Sequence, residues 1–370
     1  MIKMNTHYAD LKESYLFYNI SQKIRAYLDE NPGKRLYRLG IGDVSLPLCN
    51  AVIKALHQAV EEQAHKETFH GYMPECGAPF LREIIAKHYA SKGVALDSDE
   101  VFVSYGASDE LGDIIDLFDS SSTALVIEPA YPAYVDANTM AGRKIVHLAS
   151  GEENGFLPNP DESIKADLLY ICSPNNPTGA VFSREKLQAW VDFANRHGSV
   201  ILFDAAYEAY IEDEDLPRSI FELDGARTCA IEICSLSKTA GFTGTRLGYT
   251  VIPKDLNRDG MNLNSMWVRN RTTKTNGVSY ILQKGGTAVF TPEGQRQIRQ
   301  NINVYKNNAK VLMEALDKLG IWYCGGKNAS YIWLKCPGGL GSWEFFDYLL
   351  NEIQVVGTVF GKYNSERCGT

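Results

Sequence analysis

Between about residue 100 and residue 250 the chain alternates short, nearly continuous apolar runs with amphipathic segments. The apolar runs VFVS, TALVIE, LLYICS, SVILF and AIEICS have the length of buried strands. The segments between them, such as SREKLQAWVDFANRHG, carry apolar residues at helical spacing. Strands that are apolar on both faces and alternate with helices are typical of a parallel sheet covered by helices on both sides. We therefore predict an α/β fold with a mostly parallel sheet.

After about residue 290 the pattern changes and a second unit begins. A long polar helix candidate, TPEGQRQIRQNINVYKNNAKVLMEALDKLG, precedes the strand-like WYCGG and SYIWLKCP, the amphipathic SWEFFDYLLNEI and a final VVGTV. This order predicts a smaller α+β domain. We predict three parts: an N-terminal segment that packs with the small domain (residues 1–45), a large domain (residues 46–285) and a small C-terminal domain (residues 286–370).

The charge balance argues against nucleic-acid and membrane partners. The 370 residues carry a formal net charge of −8 at pH 7 with no cluster of lysines or arginines, whereas binding to nucleic acid depends on clustered positive charge. No apolar run is long enough to span a bilayer, and the first residues lack the apolar core of a signal peptide. The eight cysteines form no CxxC pair and the seven histidines no HExxH motif, so we expect no metal site. These features favour a cytoplasmic protein with reduced cysteines.

The stretch SLSKTAGFTGTRLGY, residues 235–249, places one lysine directly after an apolar strand. Lys238 stands among small and hydroxylated residues, and Arg246 follows eight positions later. One interpretation is a glycine-rich surface loop with two solvated cations. The other is a lysine that forms a Schiff base, with hydroxyls and an arginine nearby that hold a phosphate. The position at a strand end favours the second, because ligands of open α/β sheets bind at the carboxyl ends of the strands.

Two further polar motifs end apolar strands. In PNNPTG, Asn175 and Asn176 fit a simple turn, but an asparagine amide there could also donate to a phenolate oxygen. In DAAYEAY, Asp204 fits a helix N-cap, but a carboxylate that follows so apolar a strand is costly to bury without a cation. It could pair with a protonated pyridine nitrogen, and Tyr207 could contact an adjacent oxygen.

Two other motifs each allow a structural and a functional interpretation. In SYGASDEL the backbone N–H groups of Ala107 and Ser108 could form an anion site at the start of a helix, or Ser108 could simply cap that helix. In EPAYPAY, Tyr131 could stack on a planar cofactor or pack in a core. Taken together, these motifs match the needs of pyridoxal phosphate: a Schiff-base lysine, a pyridinium partner, a phosphate site and a ring that stacks on the cofactor.

On these residues the chain resembles the fold-type I pyridoxal-phosphate aminotransferases of class I and II, whose marks are NPTG and SxSK. More narrowly, it resembles the LL-diaminopimelate aminotransferase family from about residue 5 to residue 358. The resemblance is carried by LKESYLF, RLGIGDV, ETFHGYMPECG, NNPTGAV, ILFDAAYEAY, SLSKTAGFTGTRLGY, TTKTNGVSY, NASYIWLK and SWEFFDYLLNE. It implies that the large domain binds pyridoxal 5'-phosphate.

The resemblance also implies roles for residues around the cofactor ring. Lys238 would form the Schiff base and then move a proton during the reaction. Asp204 would keep the pyridine nitrogen protonated, Asn176 and Tyr207 would hydrogen-bond the phenolic oxygen, and Tyr131 would stack on the ring. The positions implied for the phosphate are Ala107, Ser108, Ser235, Ser237 and Arg246, with Tyr72 reaching the phosphate of a partner subunit. A homodimer with composite active sites is therefore expected.

The substrates implied are amino acids and 2-oxo acids. The positions that match substrate contacts are Gly42, Glu67, Asn176 and Asn276, of which Glu67 and Asn276 would meet the distal end of the substrate.

Several positions depart from the narrower family. Ser108 stands where a lysine is usual, Leu46 replaces a polar or basic residue, and Thr275 replaces a phenylalanine. After VVGT the chain reads VFGKYNSERCGT, so Arg367 is its one remaining arginine, and it does not align with the family arginine that binds the substrate carboxylate. We interpret it as a terminal residue without that role.

We therefore predict an LL-diaminopimelate aminotransferase that transfers an amino group between glutamate and tetrahydrodipicolinate. One alternative is another amino-acid aminotransferase or a carbon–sulfur lyase of the same fold, which the substitutions at Ser108 and Leu46 allow. The other is a protein that binds pyridoxal phosphate without turnover, since the carboxylate arginine has no counterpart in the motif.

Overall fold

A computed structural model describes residues 2–11, 16–40 and 42–359 of the chain. The strands, numbered in chain order, are β1 (Tyr37–Arg38), β2 (Val101–Ser104), β3 (Ala124–Glu128), β4 (Ile145–Ala149), β5 (Leu168–Cys172), β6 (Val200–Asp204), β7 (Ala230–Ser235), β8 (Gly248–Val251), β9 (Asn257–Arg258), β10 (Met261–Asn262), β11 (Tyr323–Gly325), β12 (Ile332–Leu334) and β13 (Val355–Val356).

The α-helices are α1 (Leu16–Glu30), α2 (Asn50–Glu62), α3 (Pro79–Ser91), α4 (Ala107–Asp113), α5 (Pro132–Met140), α6 (Arg184–His197), α7 (Leu236–Ala240), α8 (Leu263–Lys274), α9 (Tyr280–Val289), α10 (Pro292–Leu319) and α11 (Ser342–Ile353). Short 3-10 helices lie at Thr6–Asp10, Ser98–Glu100, Ile114–Leu117, Glu152–Asn154, Glu208–Tyr210, Ile220–Glu222, Ala226–Thr228 and Pro337–Gly339.

The main sheet has the strand order β2-β8-β7-β6-β5-β3-β4. Strands β7, β6, β5, β3 and β4 pair in parallel, whereas β8 is antiparallel to both of its neighbours, β2 and β7. The prediction of a mostly parallel sheet is therefore confirmed. The central strands β5, β6 and β7 are buried along their whole length, because helices cover both faces of the sheet.

Two large apolar clusters fill the space between the sheet and the helices. Alternate residues of a strand point to opposite faces, so β6 contributes Ile201 and Phe203 to one cluster and Leu202 to the other. Trp190 of α6, which is fully buried, packs in the first cluster, and Trp267 of α8 in the second. This packing fixes the register of each strand and brings the strand ends, with their polar residues, to a common edge.

The helix ends agree with the signals in the sequence. Helix α6 begins after Ser183, whose side chain accepts a hydrogen bond from the backbone of Lys186, and it ends at Gly198 in the left-handed region. The long predicted polar helix is α10, which Thr291 caps at its N-terminus and Gly320 at its C-terminus. The predicted strands WYCGG and SYIWLKCP form the antiparallel pair β11 and β12.

The N-terminal and C-terminal parts of the described chain pack on each other. Strand β1 pairs in parallel with β13, and Ile20 and Ile24 of α1 are buried against Phe346 and Leu350 of α11. These contacts join segments that are more than 300 positions apart. The boundaries of the three predicted parts, residues 1–45, 46–285 and 286–370, remain predictions.

None of the helices in the described ranges combines the length and the apolar composition that a membrane span requires.

Helix α4 carries a buried carboxyl that takes part in a small polar network. Glu110 is 1 % exposed, its Oε2 accepts a hydrogen bond from the hydroxyl of Thr250 at 2.7 Å, and its Oε1 lies 3.3 Å from Arg271 Nη1. The second guanidinium nitrogen of Arg271 donates to Asp113 at 2.7 Å. Burial raises the pKa of Glu110 to about 7, against the opposing effects of Thr250 and Arg271.

We expect Glu110→Gln to flatten the pH dependence of stability. The pKa of Glu110 rises from 4.5 to about 7 on folding, so its contribution to stability is complete below about 4.5 and is lost as the pH rises through about 7. Glutamine does not titrate, so the pH-dependent loss, of the order of 3 kcal/mol, should disappear. Urea unfolding across this pH window measures it. The exposed control Glu314→Gln should keep the parental profile, and the same profile for Glu110→Gln would contradict the raised pKa.

Candidate active site

Lys238 lies at the turn between β7 and β8. The side chain of Ser235, the last residue of β7, accepts a hydrogen bond from the backbone of Ser237 at 3.1 Å and so caps the short helix α7. Lys238 is the third residue of that helix, and Gly241 ends it in the left-handed region. The Lys238 amine is partly buried and donates to the carbonyl of Gly42. Burial lowers the pKa of Lys238, and the charge of Arg246 lowers it further, while that of Asp43 raises it.

The segment around Gly42 contacts Lys238 through the Gly42 carbonyl and is held in place by α10. The backbone N–H groups of Ser45 and Leu46 donate to the hydroxyl of Tyr305 on α10, at 3.0 and 2.9 Å. A Cβ at Gly42 would lie 2.3 Å from the hydroxyl of Tyr331, so the glycine allows this ring to approach. Leu46 takes part through its backbone N–H group, which donates to Tyr305.

Asp204 ends β6, next to the end of β5 on one side and to β7 on the other. The residue is 6 % exposed. Its Oδ2 accepts from the hydroxyl of Tyr134 at 2.6 Å, and its Oδ1 accepts from the backbone of Ala206 at 3.0 Å. The helix N-cap interpretation is wrong, because the next helix begins only at Glu208.

The carboxyl of Asp204 has no cation among the residues that the structure describes. Burial raises its pKa, and the hydrogen bonds from Tyr134 and Ala206 oppose that rise only in part. A buried carboxylate supported by neutral donors alone is unfavourable, and a positive charge brought by a ligand would stabilise it.

The PNNPTG stretch is both a turn and part of the site. The Asn175 side chain accepts from the backbone and the hydroxyl of Thr178, at 3.1 and 2.9 Å, so this asparagine holds the turn together. The amide of Asn176 points elsewhere and lies 3.5 Å from the hydroxyl of Tyr207. Tyr207 also meets the hydroxyl of Tyr331 at 2.7 Å. Burial raises the pKa of Tyr207 well above its usual value, so the phenol keeps its proton.

The guanidinium of Arg246 lies against the start of α4 and contacts Ser237 of α7. Arg246 Nη1 donates to the hydroxyl of Ser237 and to the carbonyl of Thr243, both at 3.1 Å. A Cβ at Gly106 would lie 2.6 Å from Arg246 Nη2, and Gly106 has a φ of +123°. Gly106 is the N-cap of α4, so the N-cap interpretation of Ser108 is wrong. The first backbone N–H groups of α4, at Ala107 and Ser108, belong to the same corner.

Tyr131 is the N-cap of α5 and is partly buried. Its ring meets the ring of Tyr134 edge to face, with centroids 5.7 Å apart. The structure therefore joins it to the group around Asp204 through Tyr134.

The remaining predicted positions lie apart from this group in the single chain. Tyr72 is 89 % exposed, and Glu67 and Asn276 are also exposed. Within the described ranges, no hydrogen bond links these three residues to Lys238. Their segments do meet each other, since a Cβ at Gly277 would lie 2.6 Å from the carbonyl of Met73. Thr275 ends α8, and its hydroxyl accepts from the backbone of Gly277 at 3.2 Å.

Sequence reasoning missed two tyrosines, Tyr134 and Tyr331. Both stand inside motifs that were singled out, EPAYPAY and NASYIWLK, but nothing in the spacing tells which tyrosine would reach the site. Arg367 lies outside the described residues.

The residues present fit pyridoxal phosphate. The unpaired Asp204 carboxylate suits a protonated ring nitrogen, and the half-buried Lys238 amine suits a covalent anchor. Arg246, two serines and the first N–H groups of α4 provide donors for a phosphate, and the missing side chain at Gly106 leaves the guanidinium room.

Comparisons with known proteins identify the family of the chain. A family model described as aminotransferase class I and II matches residues 34–369. The LL-diaminopimelate aminotransferase of Lachnospira eligens is 50% identical over 372 residues, which cover 97% of this chain and 92% of that protein. That of Lawsonia intracellularis is 49% identical over 375 residues, covering 97% and 91%. A solved structure of L,L-diaminopimelate aminotransferase from Chlamydomonas reinhardtii matches with a TM-score of 0.91 at 37% identity, covering 97% of this chain and 92% of that one. The family resemblance and the predicted fold class are confirmed.

We expect Gly106→Ala to destabilise the protein by roughly 1–3 kcal/mol, because the φ of +123° is unfavourable for alanine and its Cβ would collide with the Arg246 guanidinium. Gly112→Ala in the same helix is the matched control. It has no atom within 4 Å of the added Cβ and should be neutral or slightly stabilising. Urea unfolding of both variants measures the difference, and equal stability of the two would show that Gly106 is not constrained.

Proposed function

The chain belongs to the class I and II aminotransferases, and from this premise we propose that it transfers an amino group from glutamate to tetrahydrodipicolinate. The products would be LL-diaminopimelate and 2-oxoglutarate, and the reaction would belong to lysine biosynthesis. Relatives with that activity in their names match nearly the whole chain, which supports this substrate pair. The protein is a transferase whose cofactor is pyridoxal 5'-phosphate, as in its family. The observation that carries the assignment is a partly buried lysine amine, Lys238, at the end of β7 together with a buried carboxylate, Asp204, at the end of the neighbouring β6, which has no cation among the described residues.

When bound, pyridoxal phosphate supplies an electron-withdrawing ring that accepts charge from the substrate Cα. We propose that Lys238 anchors the cofactor covalently. As the general base, its amine would take the proton from Cα of the amino donor and would return one to Cα of the acceptor. Burial lowers the pKa of Lys238, which brings the amine nearer to the neutral form that a general base needs.

Asp204 would hold a proton at the ring nitrogen of the cofactor. Its position supports this role, because the carboxylate is 6 % exposed and accepts only from Tyr134 and the backbone of Ala206 among the described residues. A pyridinium would supply the missing positive charge, and the ion pair would keep the ring nitrogen protonated at neutral pH.

The remaining cofactor contacts follow from the corner around α4 and the turn after β5. We propose that Asn176 and Tyr207 donate to the phenolic oxygen and that Tyr131 stacks on the ring. The proposed phosphate ligands are Arg246, Ser235, Ser237 and the backbone N–H groups of Ala107 and Ser108. The guanidinium is suited to this role because its planar fork can donate two hydrogen bonds to a phosphate.

We propose that the active form is a cytoplasmic homodimer with composite sites. Phe69 and Tyr72 are 62 % and 89 % exposed on one segment, and such exposed aromatic side chains favour a covering partner. In a dimer Tyr72 would reach the phosphate of the other subunit, while Glu67 and Asn276 would recognise the distal amino acid group of the substrate. Gly42 and Asn176 would face the reacting end.

The first test is a half-reaction followed by visible absorption. We expect the purified holoenzyme to lose its visible band when LL-diaminopimelate is added, because the cofactor then takes up the amino group. Glutamate should act in the same way, and alanine serves as the control donor. A band that responds to glutamate or alanine but not to LL-diaminopimelate would favour another aminotransferase, and one that responds to none of them would favour cofactor binding without turnover.

The second test concerns the anchor. Lys238→Ala should lose the lysine-dependent visible band and at least a thousandfold of the amino-transfer rate, since both the covalent anchor and the general base are removed. The exposed control Lys318→Ala should keep the band and the rate. Borohydride reduction followed by peptide mass analysis locates the bond directly. A reduced cofactor attached to another lysine of the native protein would refute the assignment.

A further inference from the structure

We propose that Tyr331 is a positioning residue that turns the hydroxyl proton of Tyr207 toward the phenolic oxygen of the cofactor, an inference that rests on the proposed role of Tyr207. The two hydroxyl oxygens are 2.7 Å apart, and the rings meet nearly edge to face, with centroids 5.1 Å apart and an interplanar angle of 67°. A bond of this length is a well-formed hydrogen bond between two hydroxyls.

Both phenols are protonated, and either hydroxyl can donate to the other. Burial raises the pKa of Tyr207 well above its usual value and that of Tyr331 to about 12. The titratable groups that interact with Tyr331 are Tyr207, Cys172, Tyr131, Asp204 and Tyr210, and none of these is a cation. Each hydroxyl has one proton, so the hydrogen bond between them uses one proton and leaves the other for a third group.

The neighbours of Tyr207 decide which proton remains. The amide nitrogen of Asn176, 3.5 Å from the Tyr207 oxygen, can only donate. If Tyr331 also donates, the Tyr207 oxygen is an acceptor twice and its own proton points away from both neighbours. An anionic phenolic oxygen of the cofactor is the acceptor that favours this direction, because hydrogen bonds to charged groups are stronger and successive bonds reinforce one another.

The position of Tyr331 is fixed at both ends by glycines. A Cβ at Gly42 would lie 2.3 Å from the hydroxyl of Tyr331, and a Cβ at Gly179 would lie 2.5 Å from its carbonyl. The same carbonyl accepts from the backbone of Gly326 at 2.7 Å. The backbone of Tyr331 is thus held against the turn that carries Asn176, while its hydroxyl lies at the Gly42 segment, so the ring spans a fixed distance and keeps its hydroxyl at Tyr207.

Tyr331→Phe tests the inference, because it removes the hydroxyl and keeps the ring. The readout is the pH at which the visible spectrum of the substrate-free holoenzyme changes. A weaker hydrogen bond to the phenolic oxygen disfavours the form in which the site has lost its proton, so the midpoint should rise by about half a pH unit to one unit. Tyr207→Phe, which removes the donor itself, should raise it by more.

The double variant gives the decisive comparison. If Tyr331 acts through Tyr207, adding Tyr331→Phe to Tyr207→Phe should move the midpoint no further. Additive shifts, or no shift in Tyr331→Phe alone, would overturn the inference. Tyr323→Phe, on the other strand of the same hairpin with its hydroxyl near Asp317, is the matched control and should leave the midpoint unchanged.

The outcome is separable from that of the proposed function. Borohydride reduction that leaves the cofactor on a lysine other than Lys238 would refute the proposed anchor, while the comparison of midpoints between the native protein and Tyr331→Phe would still decide the positioning role. A normal visible band whose pH midpoint is the same in Tyr331→Phe and in the native protein would refute only the positioning role. The unfolding midpoint of each variant, measured by urea, shows whether a shift reflects loss of structure, and a variant destabilised to the point of partial unfolding would be replaced by Tyr331→Leu.

Discussion

The burial of the Asp204 side chain is the constraint on which the site depends. Asp204 is the last residue of β6, and the neighbouring strands β5 and β7 are buried along their length. Its two hydrogen-bond donors, Tyr134 and the backbone of Ala206, are neutral. Burying such a group is unfavourable, and the proposed pairing with a cationic cofactor ring would offset that cost. The surrounding aromatic residues exclude water, which would strengthen the proposed ion pair with the cofactor.

The second organising feature is close approach at glycines. Gly106 leaves space for the Arg246 guanidinium, and Gly248, opposite Ser235 on β8, lies against the backbone of Gly106. Gly42 leaves space for Tyr331. These positions let the lysine turn, the start of α4 and the Gly42 segment converge from distant parts of the chain. A Cβ at any of them would force apart groups that we propose share one ligand, so the same glycines would serve both stability and the proposed site.

Several features of the site could be predicted from the sequence. The strand-helix alternation predicted the sheet, and the strand ends predicted the positions of Lys238, Asp204 and Asn176, because parallel strands deliver their carboxyl ends to one edge. The N-cap alternatives for Ser108 and Asp204 were wrong, since a local capping signal does not reveal which residue begins the helix. Tyr134 and Tyr331 were missed because the sequence around a tyrosine does not indicate whether its side chain packs in a core or lines a site.

The sequence by itself determined the fold class, the order of the elements and the chemistry of the strand-end residues, because these depend on hydrophobic period and on residue type. It could not determine that the Asn176 amide faces Tyr207 while Asn175 closes the turn, nor that Tyr331 reaches across from the C-terminal hairpin. Those contacts join residues 31 and 124 positions apart. Only the packing of the sheet against its helices fixes such distances, because a side chain's partners across the fold are set by register and close packing and not by its neighbours in the chain.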